Sequence, residues 1–414
     1  MMFYYRLKDK ILFSRFKYSN LIEIDEKEAN KCDSMIYFLT KMDPKKSRRS
    51  FAISDPSLLF MKSESVELLQ KENTSYNIPS WIEEKVNSLK VVSINTSYPN
   101  WQESLNLSYP KKWRINILAL GDVGGMLLTG LRLIGGNYIS SIGIYDRTPK
   151  KVKRWEYEMN QVLSPFDNKK YPEVYGITKE ELFDCDMFVF CASKSVPPVG
   201  NETKDVRMVQ FKDNSKIIKE YAKMARNKNF KGIFSVVSDP VDLLCKVVFL
   251  ESNRNSNDKL DFQGLAPEQI RGYGLGVMHA RACYYAKQDK STIHYLKEGR
   301  AFGPHGKGLI IADSIKNYNN QLSEYLTKKA LKANLEVRKT GFKPYIAPAL
   351  SSGALSILAT ISGKWHYSST FLGGVFMGTN NRLIETGTEL ERLDLPKELF
   401  KKIKNTYERL EKIV

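Results

Sequence analysis

Residues 115–125 read INILALGDVGG, a short apolar run followed at once by a glycine-rich turn. The run has the length and the β-branched content of a strand that is buried on both faces. The turn leads into Met126–Ile134, an apolar stretch typical of a helix. Glycine lets backbone N–H groups approach a phosphate, and a helix N-terminus attracts negative charge. This order of elements therefore predicts a phosphate-binding βα unit.

A second predicted strand, Ile142–Asp146, ends in an acid 25 positions after Gly121 (146 − 121). A dinucleotide-binding unit holds the ribose hydroxyls with an acid at about this place, and its charge repels a 2′-phosphate. The first glycine of the usual fingerprint is Ala119 here, and a plain βα turn is the alternative interpretation. We predict an NAD site, with Arg147 leaving NADP open, at Gly121, Asp122, Val123, Gly124 and Asp146.

Two further strands are predicted at Met187–Phe190 and Gly232–Val237, with a helix at Ile217–Arg226 between them. Strands that alternate with helices imply right-handed crossovers and a Rossmann-type, doubly wound parallel sheet. This NAD-binding domain is placed at residues 113–265, and an α+β substrate domain at residues 266–414.

Residues 1–112 are predicted to form a small N-terminal α/β extension of unknown role, with strands at 35–39 and 91–94. Prolines, Asn and Ser make residues 95–112 the natural linker to the next domain. At the other end, a one-sided apolar stripe predicts a last helix that packs on the core and has no functional role. Its residues are Leu399, Phe400, Ile403, Tyr407 and Leu410.

The composition limits the classes of protein that fit. Hydrophobic residues at 42% and aromatic residues at 11% suffice for two or three globular cores. The formal charge of +18 admits nucleic acid or small anions as partners. The lysines are scattered among acids, however, so a solvated basic surface is favoured and nucleic acid is an unlikely partner. Non-specific nucleic-acid binding remains a third function, which a salt titration of binding to random DNA would reveal.

The cysteines and the longest uncharged stretch bear on the compartment. Five cysteines form no CxxC pair, which favours a reduced, cytoplasmic protein without a structural zinc site. No spacing of His, Cys and carboxylates suggests any other metal. Residues 344–363 carry no charge, but they include two prolines, so a buried helix is expected and no membrane span.

Arg281 and His305 stand 24 positions apart (305 − 281). A guanidinium can hold a carboxylate through two parallel hydrogen bonds, and an imidazole can exchange a proton near neutrality. This pair would suit a 2-oxo or 2-hydroxy acid as substrate. A surface ion pair for the Arg and a satisfied polar contact for the His are the structural alternatives.

From about Trp113 to its end the chain resembles the L-lactate/malate dehydrogenase family. The resemblance rests on motifs in the family's order, which are the Gly121 turn with Asp146, Cys191-Ala192-Ser193, Arg207 seven positions before Asn214, Ser238–Asp242, Gly274–Arg281 and Gly303–Gly306. The spacing of 24 between Arg281 and His305 also matches the family's.

The resemblance implies a role for each matching position. Arg281 would bind the substrate carboxylate, and Arg207 would polarise the carbonyl from the base of a closing loop. His305 would exchange a proton with the carbonyl oxygen as NAD(H) exchanges hydride. The resemblance also implies a dimer or tetramer. It adds cofactor contacts at Ala192 and Ser238, and a substrate contact at Ser351.

The chain departs from the family beside the catalytic His. The family has an Asp three residues before the carboxylate-binding Arg, where this chain has Met278. A thioether cannot accept a strong hydrogen bond from imidazole. Where the family has Asn, this chain has Asp239. One hypothesis is that Asp239 has taken over the orientation of His305, and the alternative is drift at a site that no longer catalyses.

The loop between Ala192 and Arg207 is also about five residues longer than the family's, so pyruvate and oxaloacetate are not assumed as substrates. The motifs and these departures leave two main hypotheses for the function. The first is an NAD-dependent oxidoreductase acting on a 2-oxo/2-hydroxy acid. The second is a catalytically weak NAD-binding protein with a regulatory or scaffolding role.

Overall fold

The computed structural model describes residues 2–72, 74, 76–166, 170–194 and 206–413. Its N-terminal part is a six-stranded sheet with two helices and three short 3-10 turns. The strands and helices are β1 (Phe3–Leu7), β2 (Lys10–Ser14), β3 (Ile22–Ile24), α1 (Glu26–Asn30), β4 (Ile36–Thr40), β5 (Ser50–Ala52), α2 (Ser80–Asn87) and β6 (Val91–Asn95). The sheet order is β3-β1-β2-β4-β6-β5, with β2, β4 and β6 parallel. The predicted α/β extension is confirmed.

The rest of the chain is built around a nine-stranded sheet and a two-stranded hairpin. Its elements are β7 (Trp113–Leu118), α3 (Asp122–Ile134), β8 (Ile139–Tyr145), α4 (Pro149–Asn160), β9 (Glu173–Gly176), β10 (Met187–Phe190), α5 (Val206–Asn227), β11 (Ile233–Val236), α6 (Val241–Ser252), β12 (Ile270–Gly272), α7 (Leu275–Ala286), α8 (Tyr295–Glu298), β13 (Arg300–Phe302), β14 (Ile310–Ala312), α9 (Asn320–Lys339), a π-helical segment (Pro348–Ala354), α10 (Leu355–Ile361), β15 (His366–Leu372), β16 (Val375–Ile384), β17 (Gly387–Leu390) and α11 (Lys397–Glu411).

The large sheet has the order β17-β16-β15-β12-β11-β10-β7-β8-β9. The six strands from β9 to β12 are parallel, and β15, β16 and β17 add an antiparallel edge. Numbered from β7, the parallel strands follow the order 3-2-1-4-5-6 of a dinucleotide-binding sheet. The strand order reverses between β7 and β10, because β8 and β9 lie on one side of β7 while β10, β11 and β12 lie on the other. Ligands of such sheets bind outside the carboxyl ends of the strands at that point.

The predicted parallel strands are confirmed by their pairing, and their side chains are buried on both faces of the sheet. In β10, Phe188 and Phe190 join one apolar cluster, while Met187 and Val189 join the cluster on the opposite face. Alternation between two cores explains why the strand reads as a continuous apolar run. The domain limits at 112/113 and 265/266 stay predictions, although β12 lies beyond residue 265 and continues the same sheet.

The extension shares one apolar core with the C-terminal half of the chain. Phe13 and Phe38 of the extension belong to the same buried cluster as Phe302, Ile310 and Leu399. The predicted linker at 95–112 is packed, since the hydroxyl of the buried Tyr98 donates to the carbonyl oxygens of residues 44 and 47. Within the described part of the chain, no helix combines the length and the apolar character needed to cross a bilayer.

Candidate active site

The glycine turn lies at the reversal point of the sheet, directly after β7. Helix α3 begins at Asp122 with Gly121 as its N-cap, and no side chain caps its first N–H groups. A Cβ on Gly121 would meet no atom within 4 Å, whereas a Cβ on Gly124 would come within 2.0 Å of the carbonyl oxygen of Ala119. The open side at Gly121 and the close helix–strand approach at Gly124 fit a bound pyrophosphate.

Asp146 follows β8 beside this turn, as predicted. Its carboxylate accepts hydrogen bonds from the backbone N–H of Leu120 at 2.9 Å and of Thr148 at 3.1 Å, and from Lys151 Nζ at 3.0 Å. Burial raises the pKa of Asp146, but these donors outweigh burial and leave the pKa below its usual value. The carboxylate is therefore ionised at neutral pH and can accept a ribose hydroxyl.

Ala192 and Ser238, which follow β10 and β11, are joined across the carboxyl edge of the sheet. The Ser238 hydroxyl donates to the carbonyl oxygen of Ala192 at 2.7 Å. Buried Asn214 of α5 accepts from the backbone N–H of Lys194 at 2.9 Å and donates to the carbonyl oxygen of Asp239 at 2.7 Å. Asn214 thus fixes the backbone at Asp239, a role that sequence spacing alone did not reveal.

His305 lies in the loop between β13 and β14, and its Nδ1 is 2.9 Å from Oδ1 of Asp239. A carboxylate accepts hydrogen bonds, so the proton resides on Nδ1 and Nε2 remains to exchange a proton. The Asp239 side chain is 47% exposed and that of His305 is 15% exposed. The structure therefore brings together the two residues that the relocation hypothesis pairs.

Met278 does not replace the lost acid. Its side chain is buried in an apolar cluster with Leu275 and Ala282. The guanidinium Nη1 of Arg281, one turn later on α7, lies 3.5 Å from the Met278 sulfur. The thioether packs against the Arg instead of accepting from an imidazole.

A second carboxylate lies beneath His305. Asp242, in the first turn of α6, is buried, and burial raises its pKa to about 6. Electrostatic attraction to His305 and the His305 backbone N–H partly oppose that rise. Asp242 belongs to the motif Ser238–Asp242, and no role is predicted for it from the sequence. Its position three residues after Asp239, at the start of a helix, was the available signal.

Arg207 and Ser351 are the remaining predicted site residues. Arg207 is the second residue of α5, and its side chain lies outside the described residues, as does the loop at 195–205. Ser351 lies half-buried in the π-helical segment and accepts at its carbonyl oxygen from Ser356. Its neighbour Ser352 is buried and ties this segment to the start of α7, because its hydroxyl donates to the carbonyl oxygen of Gly274 at 2.9 Å.

His279 and the five cysteines also carry side chains that can titrate or bind a metal. The His279 ring contacts Tyr295 OH at 2.8 Å, and burial lowers its pKa to about 4, so this half-buried imidazole is neutral at pH 7. All five cysteines are free thiols. Among the described residues, no three His, Cys, Asp or Glu side chains group as metal ligands would.

A doubly wound parallel sheet with a glycine turn at its reversal point defines a dinucleotide-binding α/β protein. Residues 113–260 match the family model described as lactate/malate dehydrogenase, NAD binding domain. Residues 113–260 therefore form an NAD-binding domain of the lactate/malate dehydrogenase type. The resemblance seen in the sequence is thereby confirmed.

The relatives are distant. A malate dehydrogenase of Sulfurisphaera tokodaii is 26% identical over 211 residues, which span 50% of this chain and 60% of that protein. An L-lactate dehydrogenase of Corynebacterium glutamicum is 24% identical over 72% of this chain and 97% of its own length. Neither match reaches an identity at which a shared substrate would follow.

Solved structures share the fold. A lactate dehydrogenase from a Medee basin deep-sea metagenome library superposes with a TM-score of 0.60 at 19% identity, covering 73% of this chain and 98% of that one. A malate dehydrogenase from Archaeoglobus fulgidus in complex with NADH gives 0.58 at 18% identity, covering 72% and 97%. About a quarter of this chain thus has no counterpart in these structures, and the family match begins at residue 113.

Proposed function

We propose that the chain is an NAD-dependent oxidoreductase that interconverts a 2-oxo acid and the corresponding 2-hydroxy acid. The observation that carries the proposal is the 2.9 Å contact between His305 Nδ1 and Asp239 Oδ1. It gives the His305 imidazole a carboxylate partner from the end of β11, in a chain that has Met278 where the family has its Asp. A chain that had only drifted at an inactive site has no physical reason to rebuild this pair from another strand end.

Each residue then has one task. Arg281 binds the substrate carboxylate, and Arg207 polarises its carbonyl. Bound NADH supplies the hydride that adds to the carbonyl carbon. His305 gives the proton on Nε2 to the carbonyl oxygen, while Asp239 stabilises the charged imidazole and fixes its orientation. The 2-hydroxy acid leaves with one hydride and one proton added, and the reverse reaction returns that proton to His305.

The cofactor contacts follow from the turn and the strand ends. The uncapped N–H groups of α3 and the open side of Gly121 would hold the pyrophosphate. Asp146 would accept the ribose hydroxyls, which favours NAD over NADP. Ala192 and Ser238 would form the wall of the site at the ends of β10 and β11. The family resemblance further supports assembly into a dimer or tetramer, which light scattering of the purified chain would measure.

The test is an NADH-oxidation screen across 2-oxo acids, including branched and amino-substituted ones, with the wild-type chain and two variants. Arg281→Ala should raise KM by about 100-fold, because a charge-assisted bidentate contact is lost. Asp239→Asn should lower kcat by up to about 10⁴-fold and shift the pH profile, while NADH binding is kept.

One result would contradict the proposed enzyme function, and a second would contradict only the role of Asp239. Tight NADH binding without turnover of any acid would favour the second function, a regulatory or scaffolding NAD-binding protein. Unchanged turnover and pH profile in Asp239→Asn would leave the enzyme class intact but exclude Asp239 from the proton transfer.

A further inference from the structure

We infer that helix α11 is a positioning device for His305, with Arg409 and Thr406 as its contact residues; this inference rests on the proposed function. The helix was predicted as simple core packing. Its buried face does pack on the core, but its polar edge contacts the loop that carries His305.

The contacts are to carbonyl oxygens two and three residues after His305. Arg409 Nη2 donates to the carbonyl oxygen of Lys307 at 2.6 Å. The Thr406 hydroxyl donates to the carbonyl oxygen of Gly308 at 3.2 Å. A guanidinium that donates to a backbone carbonyl makes a charge-assisted hydrogen bond, which is about twice as strong as a neutral one.

The loop is shaped for this close approach. Gly308 has φ +99°, and a Cβ there would come within 1.8 Å of Arg409 Nη2. Gly303 has φ +93°, and a Cβ there would come within 2.5 Å of the carbonyl oxygen of Gly308. Both ends of the loop therefore accept only glycine, and the loop is held tightly between its own backbone and α11.

The helix is itself fixed by the N-terminal extension. Leu399 and Ile403 of α11 are fully buried in the core that the extension shares. Phe302 and Ile310, the residues at the two ends of the His305 hairpin loop, lie in that same core. Two surface ion pairs, Lys46–Glu411 at 3.2 Å and Lys404–Glu67 at 3.1 Å, join α11 to the extension as well. The extension thus supports the loop both directly and through α11.

This support matters because Asp239 and His305 lie on separate elements. In the family pattern, the acid stands on α7 at the position of Met278, whereas Asp239 follows β11. Displacement of a catalytic group by about 1 Å can cost about 100-fold in rate. The carbonyl contacts of Arg409 and Thr406 therefore set the distance from His305 to its carboxylate.

The experiment compares Arg409→Met, which keeps length without donors, with Arg409→Lys, which restores a donor, and Thr406→Val. Lys401→Met, at an exposed position of the same helix, is the matched control. The readouts are kcat, KM, NADH binding and an NMR titration of the ring of His305. The chain has only four histidines, so the signal can be assigned with a His305→Gln variant. The NMR titration needs no turnover.

Arg409→Met should lower kcat about tenfold with NADH binding unchanged, and should move the His305 titration in the same direction as Asp239→Asn does. Arg409→Lys should recover most of both effects, Thr406→Val should give a smaller change of the same sign, and Lys401→Met should give none.

The inference is overturned if Asp239→Asn moves the His305 titration while Arg409→Met and Thr406→Val leave it unchanged. If Asp239→Asn moves neither the titration nor kcat, the proposed His305–Asp239 pair fails instead, so the two failures are distinguishable. If circular dichroism finds Arg409→Met unfolded, Thr406→Val and Arg409→Lys decide by the same criteria.

Discussion

At Ala119 the chain carries an L-residue where the dinucleotide fingerprint has its first glycine. Its φ is +74°, in the left-handed region that costs most L-residues about 1–2 kcal/mol. The backbone at Ala119 therefore has a conformation that favours glycine. The strain is local to the turn, because the neighbouring strand and helix keep their regular hydrogen bonds.

Replacing Ala119 with Gly should stabilise the folded chain by about 0.5–1 kcal/mol. The relief of the left-handed strain exceeds the extra entropy that glycine has in the unfolded chain. Ala333→Gly in helix α9 is the control with opposite sign and should destabilise by about 1 kcal/mol. Denaturant unfolding measures both changes, and a loss of stability in Ala119→Gly would contradict the strain argument.

Asp242 makes folding depend on pH. Its pKa rises from 3.8 in the unfolded chain to about 6 in the folded one, mainly through burial. An acid with a raised folded pKa stabilises the protein fully below about pH 3.8 and loses that contribution as pH rises through 6. At neutral pH the buried charge therefore costs roughly 3 kcal/mol relative to the protonated form.

Asp242→Asn should remove this dependence. Between pH 4.5 and 7.5 the unfolding free energy of the wild-type chain should fall by about 2 kcal/mol relative to the variant. Asp394→Asn, at an exposed position, should give parallel pH curves. If the unfolding free energies of wild type and Asp242→Asn also ran parallel with pH, the carboxyl group of Asp242 would not have a raised pKa in the folded chain.

At the scale of elements, the sequence pattern predicted the strands and helices, because these depend mainly on residues close together in the chain. The apolar runs gave the strands β7 and β10, and the alternation with helices gave the parallel sheet. The side-chain contacts that complete the site join residues far apart in the chain, and the local sequence pattern does not predict such contacts. His305 and Asp239 are 66 positions apart, and Arg409 and Lys307 are 102 apart. The resemblance supplied the first pair as a hypothesis, while nothing in the sequence of α11 distinguished Arg409 from a solvated cation.

The turn before α3 offers a matched pair of glycines. A methyl group on Gly124 would overlap the backbone oxygen of Ala119, the residue directly after β7, so the turn and the start of α3 would have to move apart. Gly124→Ala should therefore lose about 1–3 kcal/mol of stability together with NADH binding. Gly121→Ala has open space around its methyl group, so its stability should stay near wild type.

NADH binding should nevertheless weaken about tenfold in Gly121→Ala, because the methyl group occupies the space expected for the pyrophosphate. Thermal unfolding and NADH fluorescence titration separate the two effects. Equal NADH affinity in Gly121→Ala and wild type would place the pyrophosphate elsewhere.

At the scale of the whole molecule, the extension is joined to the rest of the chain by buried charge as well as apolar surface. Glu268, which precedes β12, accepts from the backbone N–H of Arg49 and of Ser50 at 3.1 Å. Within the extension, Arg48 and Glu64 form an ion pair at 2.8 Å with both side chains almost fully buried. Removing one partner of such a buried pair typically costs 3–5 kcal/mol. The Glu268 contacts fix residues 49 and 50 of the extension against the strand that leads to α7, while the Arg48–Glu64 pair stabilises the extension itself.

A chain truncated to residues 113–414 should not fold on its own. Removal of the extension would expose Phe302, Ile310, Leu399 and Ile403, which now share its core, and would leave Glu268 without its backbone donors. An exposed apolar face of this kind promotes aggregation. Size-exclusion chromatography and circular dichroism should find aggregated or loosely packed material, and co-expression of residues 1–112 as a separate chain should restore a folded complex that binds NADH. A monomeric truncated chain with a cooperative unfolding transition and wild-type NADH affinity would mean that the extension is a dispensable attachment, and that the His305 loop holds its position without it.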